Sequence, residues 1–167
     1  MDWKLTRGKF RPRLTQLIQT NSSETVKEVT SKAFKYLPDV KLAITELTKL
    51  KAVGPATASA ILCAGSHQVP FMADEAMQAI PGLGKVDYTV KFYLKYLDKI
   101  RSCLENLMKK DPQGDWNEHK VELCLWTHVM RLKYAPELCN KGTLSKREIG
   151  TKEQEEESQT RSKKMKV

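Results

Sequence analysis

Cysteine is sparse in this chain, and none of it is placed for a metal. Cys63, Cys103, Cys124 and Cys139 lie far apart, with no close-spaced pair of the kind that zinc and iron–sulfur sites use. No metal site and no iron–sulfur cluster is expected, and the four thiols read as reduced core groups. An N-terminal apolar stretch of the signal-peptide kind is missing, as is any run of about 18 apolar residues, so the chain is expected to be intracellular and not to span a membrane. Alternating apolar and polar residues, the mark of half-buried strands, are also missing, which predicts an all-α protein of short helices. His67, His119 and His128 show no mutual spacing that suggests a metal or a catalytic triad, and structural or surface roles are expected for them.

What remains is an apolar core and a strong excess of positive charge. With 167 residues and 40% hydrophobic content, the chain suffices for one compact multi-helix domain plus tails. Its net charge of +9 attracts polyanions, with nucleic acid the first expectation and an anionic membrane surface the second.

Local signals divide the chain. Residues 1–13 carry Lys4, Arg7, Lys9, Arg11 and Arg13, with Trp3 and Phe10 between them and Pro12 near the end. This segment is either a phosphate-binding arm or a strap whose aromatics tuck onto the core. Helices fit 13–20, 23–37, 39–50, 56–65, 73–80, 86–109 and 116–132, with Ser23 and Asp115 as N-caps. The domain is placed at 1–140. Residues 141–167 read as a flexible, disordered tail ending in a basic cluster, Arg161 to Lys166, that resembles a nuclear import signal. The aromatic set Tyr88, Phe92, Tyr93 and Tyr96 has the spacing of a core stripe, with base stacking the less common use of such a pattern.

The most informative stretch runs from Leu50 to Leu62. An amphipathic run containing Leu42, Ile44, Leu47 and Leu50 meets a tight turn at Gly54, and an alanine-rich helix follows at once, with Pro55 in its first turn. The first backbone N–H groups of such a helix have no intrahelical acceptor, and the positive end of its dipole favours a phosphate there. Val53, Gly54, Thr57 and Ala58 match the core of the helix-hairpin-helix found in DNA-binding proteins, while Lys51 and Ala52 stand where that pattern has its Pro and first Gly. An aspartate follows at Asp74. On these residues the chain resembles the helix-hairpin-helix DNA glycosylase superfamily over about residues 24–80. The opening Trp3 to Pro12 looks like a poorly characterised eukaryotic branch of it.

The resemblance implies a compact glycosylase-like domain that binds double-stranded DNA through the hairpin, with Lys51, Val53, Gly54, Ala56 and Thr57 at the backbone contact and Arg7, Lys9 and Arg11 adding charge. It also implies that Asp74 is the catalytic carboxylate, beside the sugar from which a base is released through a cationic state. Bifunctional members carry a lysine nucleophile where this chain has Ala56, so the implied enzyme is a monofunctional hydrolase, with Lys51 and the N-terminus the nearest substitute amines. Asp74 also has a purely structural reading as the N-cap of its helix. Asp74 and Glu75 are adjacent and cannot share a helix face, so one faces the pocket and the other is a cap or solvated.

A second turn, Ile80-Pro81-Gly82-Leu83-Gly84-Lys85, keeps the Pro and both glycines of the hairpin pattern. Gly82, Gly84 and Lys85 are therefore further candidates for DNA-backbone contact, and the pair of turns opens an alternative: a non-enzymatic tandem helix-hairpin-helix module or repair scaffold. A nuclear, monomeric, DNA-repair-type protein, with repair proteins as possible partners and no membrane association, is the expectation from the whole sequence.

Overall fold

A computed structural model describes residues 2–7, 11 and 13–138, with only the backbone of Arg7. Eight helices lie among them: α1 (Asp2–Arg7), α2 (Arg13–Ile18), α3 (Ser23–Lys35), α4 (Val40–Leu47), α5 (Pro55–Gly65), α6 (Asp74–Gln78), α7 (Val90–Lys110) and α8 (Glu118–Tyr134). No strand occurs among the described residues, and no helix among them is long and apolar enough to cross a membrane.

The chain divides into two units, 1–127 and 128–167. In the first, α4, α5 and α7 supply most of the core. Ala43, Ile44 and Leu47 from α4, Ala58 and Leu62 from α5, and Tyr93, Tyr96 and Ile100 from α7 are all but inaccessible to solvent. The small residues of α5 explain its position: alanine and serine side chains let neighbouring backbones approach closely, and α5 is buried at Thr57, Ala58, Ser59 and Ala60 in succession. Glu46 joins α3 to α4, accepting from Lys49 at 2.7 Å and lying 3.5 Å from Lys32. In the second unit, described for 128–138, the Arg131 guanidinium donates to the Leu138 carbonyl, and the Lys133 ammonium stands 5.0 Å from the centre of the Tyr134 ring.

Several boundaries differ from those expected. The N-cap of α3 is Ser22, whose hydroxyl accepts from the Thr25 N–H at 3.2 Å, because Ser22 is the last extended residue and Ser23 is already helical. Helix α7 starts at Val90 and not at 86: Thr89 caps it by accepting from the Phe92 N–H at 3.2 Å, and its hydroxyl is held by Asp87 at 2.9 Å. Asp115 does not cap α8. It pairs with the Lys120 ammonium, while Asn117 Oδ1 accepts from the Lys120 N–H at 3.0 Å. The N-terminal segment contains a helix beyond those expected, α1, anchored by buried Leu5 and by Trp3, whose ring centre lies 5.1 Å from that of Phe71. Trp3 thus behaves as a strap residue; Phe10 and the tail 141–167 lie outside the described residues.

Candidate functional site

The turn between α4 and α5 is clamped from outside. Asn21 accepts from the Lys51 N–H at 2.8 Å and donates to the Lys51 carbonyl at 3.1 Å, which fixes the backbone just before Ala52. Ala52 then takes φ +62°, a left-handed conformation unusual for a residue with a Cβ. Gly54 follows with φ −89° and ψ 178°, and Pro55 opens α5. The Val53 N–H donates to Leu50 at 3.2 Å and its side chain is buried, so Val53 belongs to the core side of the turn. The N–H groups of Gly54, Ala56 and Thr57 find no acceptor among the described residues. A Cβ built on Gly54 meets nothing within 4 Å. Neither the backbone angle nor the packing of this protein requires glycine there, so the missing side chain leaves open space at the mouth of a helix.

Asp74 is held to face that space. Met72 donates its N–H to Ser59 Oγ at 3.0 Å, and the Ser59 hydroxyl donates to the Ala56 carbonyl at 3.0 Å, tying the approach to α6 onto the first turn of α5. From the other side, the hydroxyls of Tyr93 and Tyr96 donate to the carbonyls of Pro70 and Phe71 at 2.9 and 3.2 Å. Asp74 is the first residue of α6, and the N-cap position belongs to Ala73, which makes no side-chain cap. The structural reading of Asp74 as a helix cap is therefore corrected: its Oδ1 accepts from the Tyr88 hydroxyl at 2.6 Å. Glu75 is neither a cap nor fully solvated. It is half-buried, and its Oε2 finds no hydrogen-bond partner among the described residues.

These elements enclose a cavity of about 360 Å³. Ala52, Gly54, Ala56 and Thr57 form one wall, Phe71, Met72 and Leu14 supply apolar surface, and Asp74, Tyr88, Lys4 and Arg11 supply polar groups. Arg11 stands over the Tyr88 ring, its Cζ 5.8 Å from the ring centre. Lys4 is only 8% exposed, although it is a lysine on a short N-terminal helix. Burial lowers its ammonium below the usual lysine value, Arg11 lowers it further, and Asp74 opposes both. Burial, with the bond to Asp74 added, pushes the Tyr88 hydroxyl up to about 12, so it stays a neutral donor to the carboxylate.

Of the sequence candidates, the structure brings Asp74, Gly54, Ala56, Thr57 and Arg11 to one cavity. Lys51 is exposed and outside the cavity lining. Gly82 and Gly84 form an exposed turn with φ +71° and +92°, and the Leu83 carbonyl accepts from the Lys95 ammonium at 2.8 Å. No helix starts at that turn, since α7 begins at Val90; Lys85 is exposed beside it. The Arg7 side chain and Lys9 lie outside the described residues. Two members of the cavity carry no sequence signal that assigns them to it. In the sequence Lys4 is one charge of the arm and Tyr88 part of an aromatic stripe, and no local spacing links either of them to Asp74.

A separate cluster joins Cys63, His119 and Glu122. His119 Nδ1 lies 3.1 Å from Cys63 Sγ and 3.2 Å from Glu122 Oε2. Both contacts use the same ring nitrogen, whereas a proton relay through imidazole needs one nitrogen for each neighbour. The described residues hold no group of three or more His, Cys, Asp or Glu side chains that could bind a metal ion. No protein family, no curated protein and no solved structure matches this chain.

Proposed function

We propose that this chain binds double-stranded DNA through the turn at Gly54 and, as a protein of the base-excision-repair type, hydrolyses the bond between a base and its sugar. The observation that carries this reading is that the Asp74 carboxylate shares one cavity with the open first turn of α5. A phosphate approaching Gly54 meets the N–H groups of Ala56 and Thr57, with the positive end of the helix dipole behind them. Arg11 adds a cation at the same cavity. A nucleotide turned out of the duplex would enter beside it, and the volume lies within the range occupied by small-molecule sites. Asp74, kept in place by Tyr88, would stabilise the positive charge that grows on the sugar as the base departs, or accept a proton from the attacking water.

The backbone at Ala52 adds to this. The residue stands where the helix-hairpin-helix pattern has its first glycine, and it adopts the left-handed conformation that glycine adopts without strain. Ala56, at the position of the nucleophilic lysine of bifunctional glycosylases, offers no amine, so base release would proceed by hydrolysis. Such a protein would act as a monomer in the nucleus.

A set of duplexes, each with one damaged or mismatched base, tests the reading by alkali-labile strand breaks at the altered position. Base release is expected with the wild-type chain and not with Asp74→Asn, which keeps the shape and loses the charge, while duplex binding persists in both. Binding without base release from any duplex would favour the non-enzymatic DNA-binding module instead, with the exposed Gly82 and Gly84 turn as a second backbone contact. Absence of duplex binding would overturn both.

A further inference from the structure

Lys4 is the most unusual residue of the cavity. It is more than nine-tenths buried, it lines the space in front of Asp74, and its ammonium makes no hydrogen bond or ion pair with any described residue. A lysine on a six-residue N-terminal helix would ordinarily extend into water, since its flexible stem lets the charge reach solvent at little cost. Here the flanking residues prevent that. Leu5 is buried and Trp3 packs at a tilt against Phe71, itself part of the cavity wall, so α1 is held against the core with Lys4 between them.

Two surroundings make an amine nucleophilic at neutral pH: an apolar pocket that disfavours the ammonium, and a second cation beside it. Lys4 has both, in the apolar wall and in Arg11. Asp74, from α6, is the opposing anion, and the neutral Tyr88 hydroxyl is the other titratable group of the cavity. A lysine meant only to attract phosphate would gain nothing from a burial that disfavours its ammonium, and an exposed arginine serves that purpose better.

We propose that Lys4 is an amine nucleophile that condenses with the C1′ aldehyde of an open-chain 2-deoxyribose phosphate in this cavity. The proposal rests on the base-release reading, because hydrolysis of the base–sugar bond leaves such a sugar beside Asp74. The neutral Nζ adds its electron pair to the C1′ carbonyl carbon, and the carbonyl oxygen takes up a proton to give a carbinolamine. Loss of that oxygen as water gives the imine, and water reverses both steps to release sugar and lysine unchanged. The amine that Ala56 lacks would thus come from a part of the chain some fifty residues earlier in the sequence, into the cavity that Ala56 also lines. Lys51, the nearest lysine in sequence, lies outside the lining.

The full chain is incubated with sodium cyanoborohydride and one of two probes: a duplex carrying a preformed abasic site, or free 2-deoxyribose 5-phosphate. Hydride delivered to C1′ turns the imine into a stable secondary amine, and trypsin no longer cuts after a modified Lys4, so the label appears in the 1–7 peptide with fragment ions that separate Lys4 from the N-terminal amine. Labelling of Lys4 on the order of tenfold above every other amine is expected. Lys4→Arg, which keeps the charge without the nucleophile, should lose the adduct; if that variant does not fold, the site of the wild-type label still decides. Label at Lys4 from the free sugar phosphate but not from the duplex would support the nucleophile and overturn the reading of duplex DNA as substrate. Label spread over surface lysines, or absent from Lys4 with both probes, would overturn the proposal even for a chain that binds duplex DNA and releases bases.

Discussion

The Tyr88 hydroxyl donates to Asp74 Oδ1 at 2.6 Å, from a position fourteen residues further along the chain. The bond spans the exposed turn at Gly82 and Gly84 and holds the carboxylate at the cavity that both residues line. Its partner cannot ionise in competition, since Tyr88 loses its proton only near pH 12. Tyr88→Phe should therefore lower stability by about 1 kcal/mol or less, because the pair is partly solvated, yet slow the proposed base release about tenfold by freeing Asp74 to rotate. Thermal melting and single-turnover base release measured on the same preparation separate the two effects. Equal rates in wild type and variant would reduce the bond to a structural contact.

Gly54 gives the cleanest test of the proposed DNA interface. Its φ of −89° suits any residue, and a Cβ meets no neighbour, so Gly54→Val should fold with nearly unchanged stability. The branched side chain would occupy the space before the N–H groups of Ala56 and Thr57. Duplex affinity is expected to fall about tenfold or more, and wild-type binding to weaken steeply with salt. A titration that shows the same affinity in the folded variant would remove this turn from the interface.

Ala52 holds the opposite kind of position. With φ +62° its Cβ is strained, so Ala52→Gly should relieve that strain and raise stability, offset in part by the extra freedom glycine gives the unfolded chain. A net gain of up to about 1 kcal/mol in urea unfolding is expected, whereas Ala52→Val should lose at least as much. A loss of stability in the glycine variant would show that Ala52 does not adopt this conformation.

Glu46 links folding to pH. The hydrogen bond from Lys49, assisted by Lys32, holds its carboxyl below the ordinary value of 4.5 although burial works against them. A carboxyl group lowered in the folded state binds fewer protons there than in the unfolded chain, so its contribution is present above about pH 4.5 and is lost as the pH falls through the lowered folded value. Glu46→Gln should be less stable at neutral pH and show a shallower loss of stability below pH 4.5. Parallel unfolding curves at several pH values measure both, and identical acid slopes in the two proteins would exclude the linkage.

Whatever depends on neighbours along the chain could be read from the residues alone. The repeat of apolar residues through Leu42, Ile44 and Leu47, the proline after Gly54 and the alanines of α5 fixed two helices and a turn between them, because helix periodicity and backbone angles are local properties. The absence of strand patterns fixed the all-helical class in the same way. Tyr93 and Tyr96 were legible as core for the same reason, being three residues apart on one helix face. Helix starts were less legible where several polar residues competed for the cap, as with Ser22 against Ser23 and Asn117 against Asp115. Which charged groups meet depends on long-range packing. Lys4, Arg11, Asp74 and Tyr88 come from four separate segments, and what joins them is the packing of Trp3 on Phe71 and the bonds made by Ser59, Tyr93 and Tyr96. Each of those contacts closes a gap of 13 or more residues, and contacts at such distances leave no periodic trace in a single sequence, since they are set by the way whole helices pack.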